Sequence, residues 1–272
     1  MVAGTPVWVT RWGQKGPRVV MVHGSAQGSE IGGDRHFSTQ KRLGDRGWQV
    51  IVPDRPGHGR SPDPGRPDDA KADGALVAEL LEDGAHLVGH SFGGAVALAA
   101  AAQRPGAVRS LTLIEPAMQM LATDDPHVRR FGLSILRTRI FSLSMASRAK
   151  KFAKLVAIPD EIGGNRPPEE MRRIGQALSK LKLPSKATLK DELALIQRAK
   201  ISLLVVTGGW SPAFEVVADR VAATGGGTRR VIVSPHHFPQ LVSDEFNAAL
   251  AVFMERANRA RGDGGAADSA PT

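Results

Sequence analysis

Apolar residues in this chain come in short, nearly unbroken runs rather than in alternation with polar ones. Val19-Val20-Met21-Val22, Val50-Ile51-Val52, Ala85 to Val88, Leu111 to Ile114, Ile201 to Val206 and Val231 to Val233 are such runs. Segments of this length, rich in β-branched residues, suit strands covered on both faces of a parallel sheet. The pattern predicts strands near 18–23, 48–53 and 108–114, with an earlier strand at Pro6 to Arg11. Helical patterns are predicted at 69–83 and over the alanine-rich Gly94 to Gln103. From 118 to 198 the alternation stops: no strand is predicted there, only helical stretches such as Val128 to Val156 and Pro168 to Leu181. It resumes at Ile201, so 118–198 reads as a helical insertion in an α/β domain. Each apolar run ends in a loop of glycine, proline or polar residues, among them His23-Gly24-Ser25, Glu115-Pro116, Thr207-Gly208-Gly209 and Ser234-Pro235-His236-His237. Ligand sites of open α/β sheets lie beyond the carboxyl ends of the strands, so these loops are expected to converge on one cleft.

One loop carries a chemical pattern. Gly89-His90-Ser91-Phe92-Gly93 stands between a buried-strand run and a helical segment, which is the arrangement of a nucleophile elbow. Its glycines relieve the crowding of a sharp strand-to-helix turn, and the turn pushes the serine hydroxyl into the cleft. The same glycines would suit any tight turn after a buried strand; the surrounding runs and loops favour the chemical reading. A serine hydroxyl is too weak an acid to attack a carbonyl unaided, and histidine is the base suited to neutral pH.

With His23-Gly24, the Asp54 to Ser61 run, the elbow and His237-Phe238-Pro239 in this order, the chain resembles the α/β-hydrolase superfamily. The resemblance implies an α/β-hydrolase fold, with a mostly parallel central sheet flanked by helices. The core domain would span 1–117 and 199–260, the helical lid 118–198, and 261–272 would form a disordered tail without large apolar anchors. It also implies Ser91 as nucleophile and His237 as base, with His236 as the adjacent alternative. The backbone N–H groups of Phe92 and Ser25 would form the oxyanion hole. His90, His23 and His58 read as scaffold, and Asp54 as the anchor of the Arg55 to Ser61 loop.

The acid departs from the superfamily pattern. Where a Gly-x-x-Asp loop is expected, the chain has Gly208-Gly209-Trp210-Ser211, and a serine carries no charge. Glu115, at the end of the strand after the nucleophile helix, is the expected replacement. The competing reading of Glu115 is a buried anchor for the lid, which leaves a Ser91–His237 dyad with Ser211 as a neutral acceptor. Glu215 and Asp219 fall inside the following helix, too far round. The implied activity is cleavage of a carboxylic ester, lactone or thioester through an acyl-enzyme; the alternatives are a cofactor-independent lyase or a binding protein of low turnover. A haloalkane dehalogenase or epoxide hydrolase of this superfamily would carry Asp in place of Ser91. No metal-ligand spacing, Walker loop or dinucleotide motif is evident, so no cofactor is expected.

Composition narrows the picture further. The 272 residues include no cysteine, which excludes disulfides and a cysteine nucleophile. Met1 to Gln14 lacks the apolar core of a secretion signal and no 18-residue apolar span exists, so a cytoplasmic location is the default. The net charge is +9, and the segment 118–198 holds sixteen Lys or Arg against eight Asp or Glu. That excess suits a solvated helix surface, an anionic or amphiphilic small-molecule substrate, or contact with a membrane surface. Nucleic acid is not expected, because no aromatic platform or recognised motif accompanies the basic residues. Oligomeric state is not encoded in any pattern recognised here.

Overall fold

A computed structural model describes residues 4–25, 27–163 and 166–262. Seven strands form one sheet: β1 (Val9–Trp12), β2 (Arg18–Val22), β3 (Gln49–Pro53), β4 (Ala85–His90), β5 (Val108–Ile114), β6 (Ser202–Thr207) and β7 (Thr228–Val231). Their order is β1-β3-β2-β4-β5-β6-β7, and every pair is parallel except β1 with β3. The helices are α1 (Gly33–His36), α2 (Lys41–Asp45), α3 (Ala70–Leu80), α4 (Phe92–Gln103), α5 (Pro126–Ile140), α6 (Met145–Leu155), α7 (Asp160–Gly163), α8 (Pro168–Lys180), α9 (Lys186–Arg198), α10 (Pro212–Gly225), α11 (Pro239–Val242) and α12 (Glu245–Ala260).

The nearly unbroken apolar runs follow from burial on two sides. Val20, Val22, Ile51, Leu87, Leu111, Leu113, Leu203 and Val205 pack into one core with α3, α4, α9 and α10. Their sequence neighbours Val19, Met21, Val50, Val52, Val88, Ile114, Leu204 and Val206 pack into the opposite core with α12. Successive side chains point to opposite faces of a strand, so a sheet with helices on both faces favours apolar residues at successive positions, and two buried exceptions, His86 and Ser110, bond to each other at 2.8 Å. Helix α4 is buried along almost its whole length, which explains its alanines: only small side chains let the sheet, α3 and α9 close around it. Gly74 of α3 sits where a Cβ would come within 2.9 Å of the Ala99 Cβ.

Three elements differ from expectation. The first strand is displaced to Val9–Trp12, where it pairs with Val50 to Pro53. The last strand is Thr228–Val231 rather than the apolar run 231–233, because it is an edge strand and mostly exposed, so little burial is written into its sequence. The stretch 128–156 forms two helices, broken at 141–144, where the Ser144 side chain accepts from the Ser147 amide and caps α6. Between β5 and β6 the described residues contain helices and no strand. Of these helices, α9 sends Leu189, Leu193 and Ile196 into the core beside α4, while α6 and α8 share a small separate cluster of Ala149, Met171 and Ile174. Residues 263–272, most of the expected tail, lie outside the described residues. No helix among the described residues is long and apolar enough to cross a membrane.

Candidate active site

Ser91 lies between β4 and α4 with φ 56° and ψ −124°, a sparsely populated conformation for a residue with a side chain. The surrounding backbone enforces it. A Cβ on Gly89 would strike the Gly93 carbonyl oxygen and the Ala97 methyl, and one on Gly93 would strike the carbonyl oxygens of Val22 and His23. The Ser91 amide donates to the Ile114 carbonyl at 2.9 Å, and its carbonyl accepts from the amides of Gly94 and Ala117. The turn is thereby tied to the end of β5. Although Ser91 is the N-cap of α4, its hydroxyl makes no capping bond and remains available for chemistry.

The loop after β2 abuts this serine. A Cβ on Gly24 would stand 2.9 Å from the Ser91 Cβ and 3.4 Å from its Oγ. His23 holds that loop from behind: its Nε2 accepts from the Arg55 amide at 2.9 Å, so Nδ1 carries the proton and donates to the Gly24 carbonyl at 2.8 Å. Asp54 accepts from the Gly33 amide (2.8 Å) and from the Arg60 amide (3.0 Å) and Nε (2.9 Å), so it anchors the loop that follows it. Ser25, half-buried, has a hydroxyl with no hydrogen-bond partner, and Phe92 opens α4 directly after Ser91.

The two candidate bases part company. His236 turns back on its own loop, where its Nδ1 accepts from the Phe238 amide at 3.2 Å and lies 3.0 Å from the Ser234 hydroxyl. His237 is buried, with its ring 4.7 Å from that of Phe214 and 4.8 Å from that of His90, centre to centre. Its carbonyl accepts from His90 Nε2 at 2.7 Å, so the residue preceding Ser91 fixes the loop that carries His237. Its amide donates to the carbonyl of Ala157, just past α6, at 3.3 Å.

Glu115 is fully buried at the end of β5, with φ 46°. One carboxylate oxygen accepts from the Gly208 amide at 2.6 Å; the other stands 3.4 Å from His237 Nδ1, at ion-pair range but beyond a normal hydrogen bond. Burial pushes the Glu115 carboxyl up to about 8, and burial with the neighbouring His236 pushes His237 down to about 3. The imidazole is therefore neutral at pH 7, as a proton acceptor must be. Ser211 serves as the start of α10, its carbonyl accepting from the amides of Phe214 and Glu215. Glu215 is occupied by Thr207 Oγ1 at 2.9 Å and Arg229 at 2.5 Å, and Asp219 by Arg229 Nε at 2.8 Å.

Sequence reasoning missed a latch between α8 and the loop after β2. Glu170, buried, accepts from the Glu30 amide at 2.9 Å and from Arg166 at 2.5 Å, and Arg166 also donates to Ser29 Oγ at 2.7 Å. Nothing in the spacing of these residues announces the contact, since 140 positions separate Glu30 from Glu170. Among the described residues no cluster of three or more His, Asp or Glu could hold a metal ion.

Comparison with known proteins agrees with this architecture. A family model described as "Alpha/beta hydrolase family" matches residues 19–249. Lipase LipV of Mycobacterium tuberculosis is 30% identical over 253 residues, covering 89% of this chain and 83% of that protein. A pimeloyl-(acyl-carrier protein) methyl ester esterase of Neisseria meningitidis serogroup A is 30% identical over 168 residues, 60% of this chain and 53% of the esterase, so that match spans little more than half of the relative. Among solved structures, an esterase (EaEST) from Exiguobacterium antarcticum shares the fold with a TM-score of 0.69 at 19% identity, covering 93% of this chain and 97% of the other. The chain belongs to the Alpha/beta hydrolase family.

Proposed function

We propose that the protein hydrolyses carboxylic esters through an acyl-enzyme on Ser91, with His237 as general base and Glu115 as the acid that orients it. The observation that carries this reading is the Glu115 carboxylate, fully buried at a strand end and 3.4 Å from His237 Nδ1, where the family's usual aspartate position holds Ser211. With Nδ1–H directed at Glu115, the Nε2 lone pair takes the Ser91 proton as Oγ attacks the ester carbonyl. The tetrahedral oxyanion is met by the backbone N–H groups of Phe92 and Ser25, an arrangement worth several kcal/mol in comparable sites. His237 returns the proton to the departing alkoxide, leaving an acyl-Ser91 ester and the free alcohol. A water then gives its proton to His237 and attacks the acyl carbon, releasing the carboxylic acid and restoring Ser91.

Lactones and thioesters fit the same sequence of steps, with a tethered alcohol or a thiol as the leaving group. The helices between β5 and β6 act as a lid over the site, a role supported by the bond from the His237 amide to Ala157. The names of the relatives, a lipase and a methyl ester esterase, support ester substrates with an acyl chain. Incubation with a fluorophosphonate probe tests the chemistry. A single phosphonylated peptide containing Ser91, absent from Ser91→Ala, is expected; a folded wild-type protein that takes up no label rejects the acyl-enzyme.

A further inference from the structure

Residues 126–159 contain eight Lys or Arg and no Asp or Glu. In the fold this stretch is α5 and α6 with the turn between them. The orientation of α5 is fixed by its inner side, where Val128 is buried and the Phe131 ring meets the Phe214 ring at 5.4 Å. Its outer side is the unusual one. Leu133, Leu136 and Ile140, at i, i+3 and i+7, lie within a narrow arc and are 53%, 49% and 61% exposed. The apolar surface continues into the turn, with Phe141 68% and Leu143 100% exposed. Single exposed leucines are ordinary, but a contiguous apolar stripe on a helix facing water marks a surface made to be covered.

We infer that the outer face of α5 and the α5–α6 turn dock the protein on an anionic lipid surface, with Leu136, Ile140, Phe141 and Leu143 entering the acyl boundary and the surrounding arginines meeting the headgroups. Charge complementarity selects this occupant. Arg130 and Arg137 flank the stripe on one side of the helical wheel and Arg139 on the other, while Arg129 continues its line one turn towards the start of the helix. A second copy docked face to face would set these cations against their own equivalents, with no carboxylate in the segment to relieve them. An interface of exposed apolar side chains ringed by arginine and lysine is instead the composition of a helix lying in a bilayer surface. The location gives the docking a use: two residues past the end of α6, the Ala157 carbonyl holds the His237 amide, so a docked lid brings the catalytic loops to the lipid boundary. That use rests on the hydrolase reading, whereas the docking itself does not.

Sedimentation of the full chain with vesicles of pure phosphatidylcholine, or of phosphatidylcholine with phosphatidylglycerol, tests the inference beside turnover of a short water-soluble p-nitrophenyl ester. Binding to the phosphatidylglycerol vesicles is expected to weaken as salt is raised. It should drop at least ~10-fold in Leu136→Asp/Leu143→Asp and in Arg129→Glu/Arg137→Glu, with turnover of the soluble ester unchanged in both. Unchanged turnover also reports that these surface variants are folded. Failure of the wild-type protein to bind anionic vesicles overturns the inference, as does equal binding to pure phosphatidylcholine, or a wild-type dimer in sedimentation equilibrium that Leu136→Asp dissociates. Loss of soluble-ester turnover in the wild type would instead count against the hydrolase reading.

Discussion

At the scale of single residues, the proposed mechanism makes the pair Glu115–His237 decide the tautomer on which base catalysis depends. Only an ionised Glu115 accepts a proton from Nδ1 and leaves Nε2 bare; a protonated Glu115 would donate to Nδ1 and turn the reactive nitrogen into a donor. Because burial raises the carboxyl to about 8, kcat/KM for a soluble ester is expected to rise with pH through about 8, beyond the range of an unperturbed histidine. Glu115→Gln should lower kcat by at least ~10²-fold and abolish that rise, as steady-state kinetics across pH would show. An unchanged profile in the variant removes Glu115 from the role. The candidates Ser91, Glu115 and His237 were legible in the chain because each follows an apolar run, and the structure brings the last two of them together. Of the two adjacent imidazoles the chain favoured His237, which stands directly before Phe238-Pro239. It could not show what separates them, the His90 bond to the His237 carbonyl and the Ser234 hydroxyl beside His236, contacts formed only after the loops meet.

Strands buried on both sides were legible from the sequence, as was the amphipathic α8 expected over 168–181, whereas the edge of the sheet and the break between α5 and α6 were not. Strands β2 to β6 pack apolar side chains into two cores and so announce themselves, whereas β7 runs Thr228-Arg229-Arg230-Val231 along an exposed edge and owes its place to pairing with β6. Likewise α5 and α6 read as one helix, since a serine cap within a helical pattern is a weak signal until its amide partner is seen. The latch from α8 was invisible for a different reason: its partners are backbone and side-chain groups on a distant loop. Its energetic weight is testable. Glu170→Ala leaves the Glu30 amide and Arg166 without their acceptor, and such orphaned groups typically cost about 1–3 kcal/mol. Urea denaturation should show that loss, and an unchanged midpoint would mean that the contact contributes nothing net.

For the molecule as a whole, buried histidines govern the response to acid. His23, His36, His58, His86, His90 and His237 are all held below the ordinary imidazole value of 6.5, chiefly by burial. As pH falls below 6.5 the unfolded chain takes up protons that the folded one refuses, so stability falls. Each imidazole then adds a slope of about 1.4 kcal/mol per pH unit. Glu115 and Glu192, raised by burial to about 8 and about 7, act in the opposite sense, holding protons in the folded state from 4.5 up to those values. The two sets roughly balance at about pH 7. Thermal melts should therefore show a maximum near neutrality and a steep descent on the acid side; a flat profile from pH 7 to pH 5 would refute it. The enclosure of α4 has its own consequence. The proposed nucleophile stands at the mouth of a helix enclosed by the sheet, α3 and α9, whereas Ala157 after α6 and Glu170 of α8 reach the surrounding loops through a few polar links. Partial loosening should therefore erode discrimination between substrates before it erodes the capacity to react.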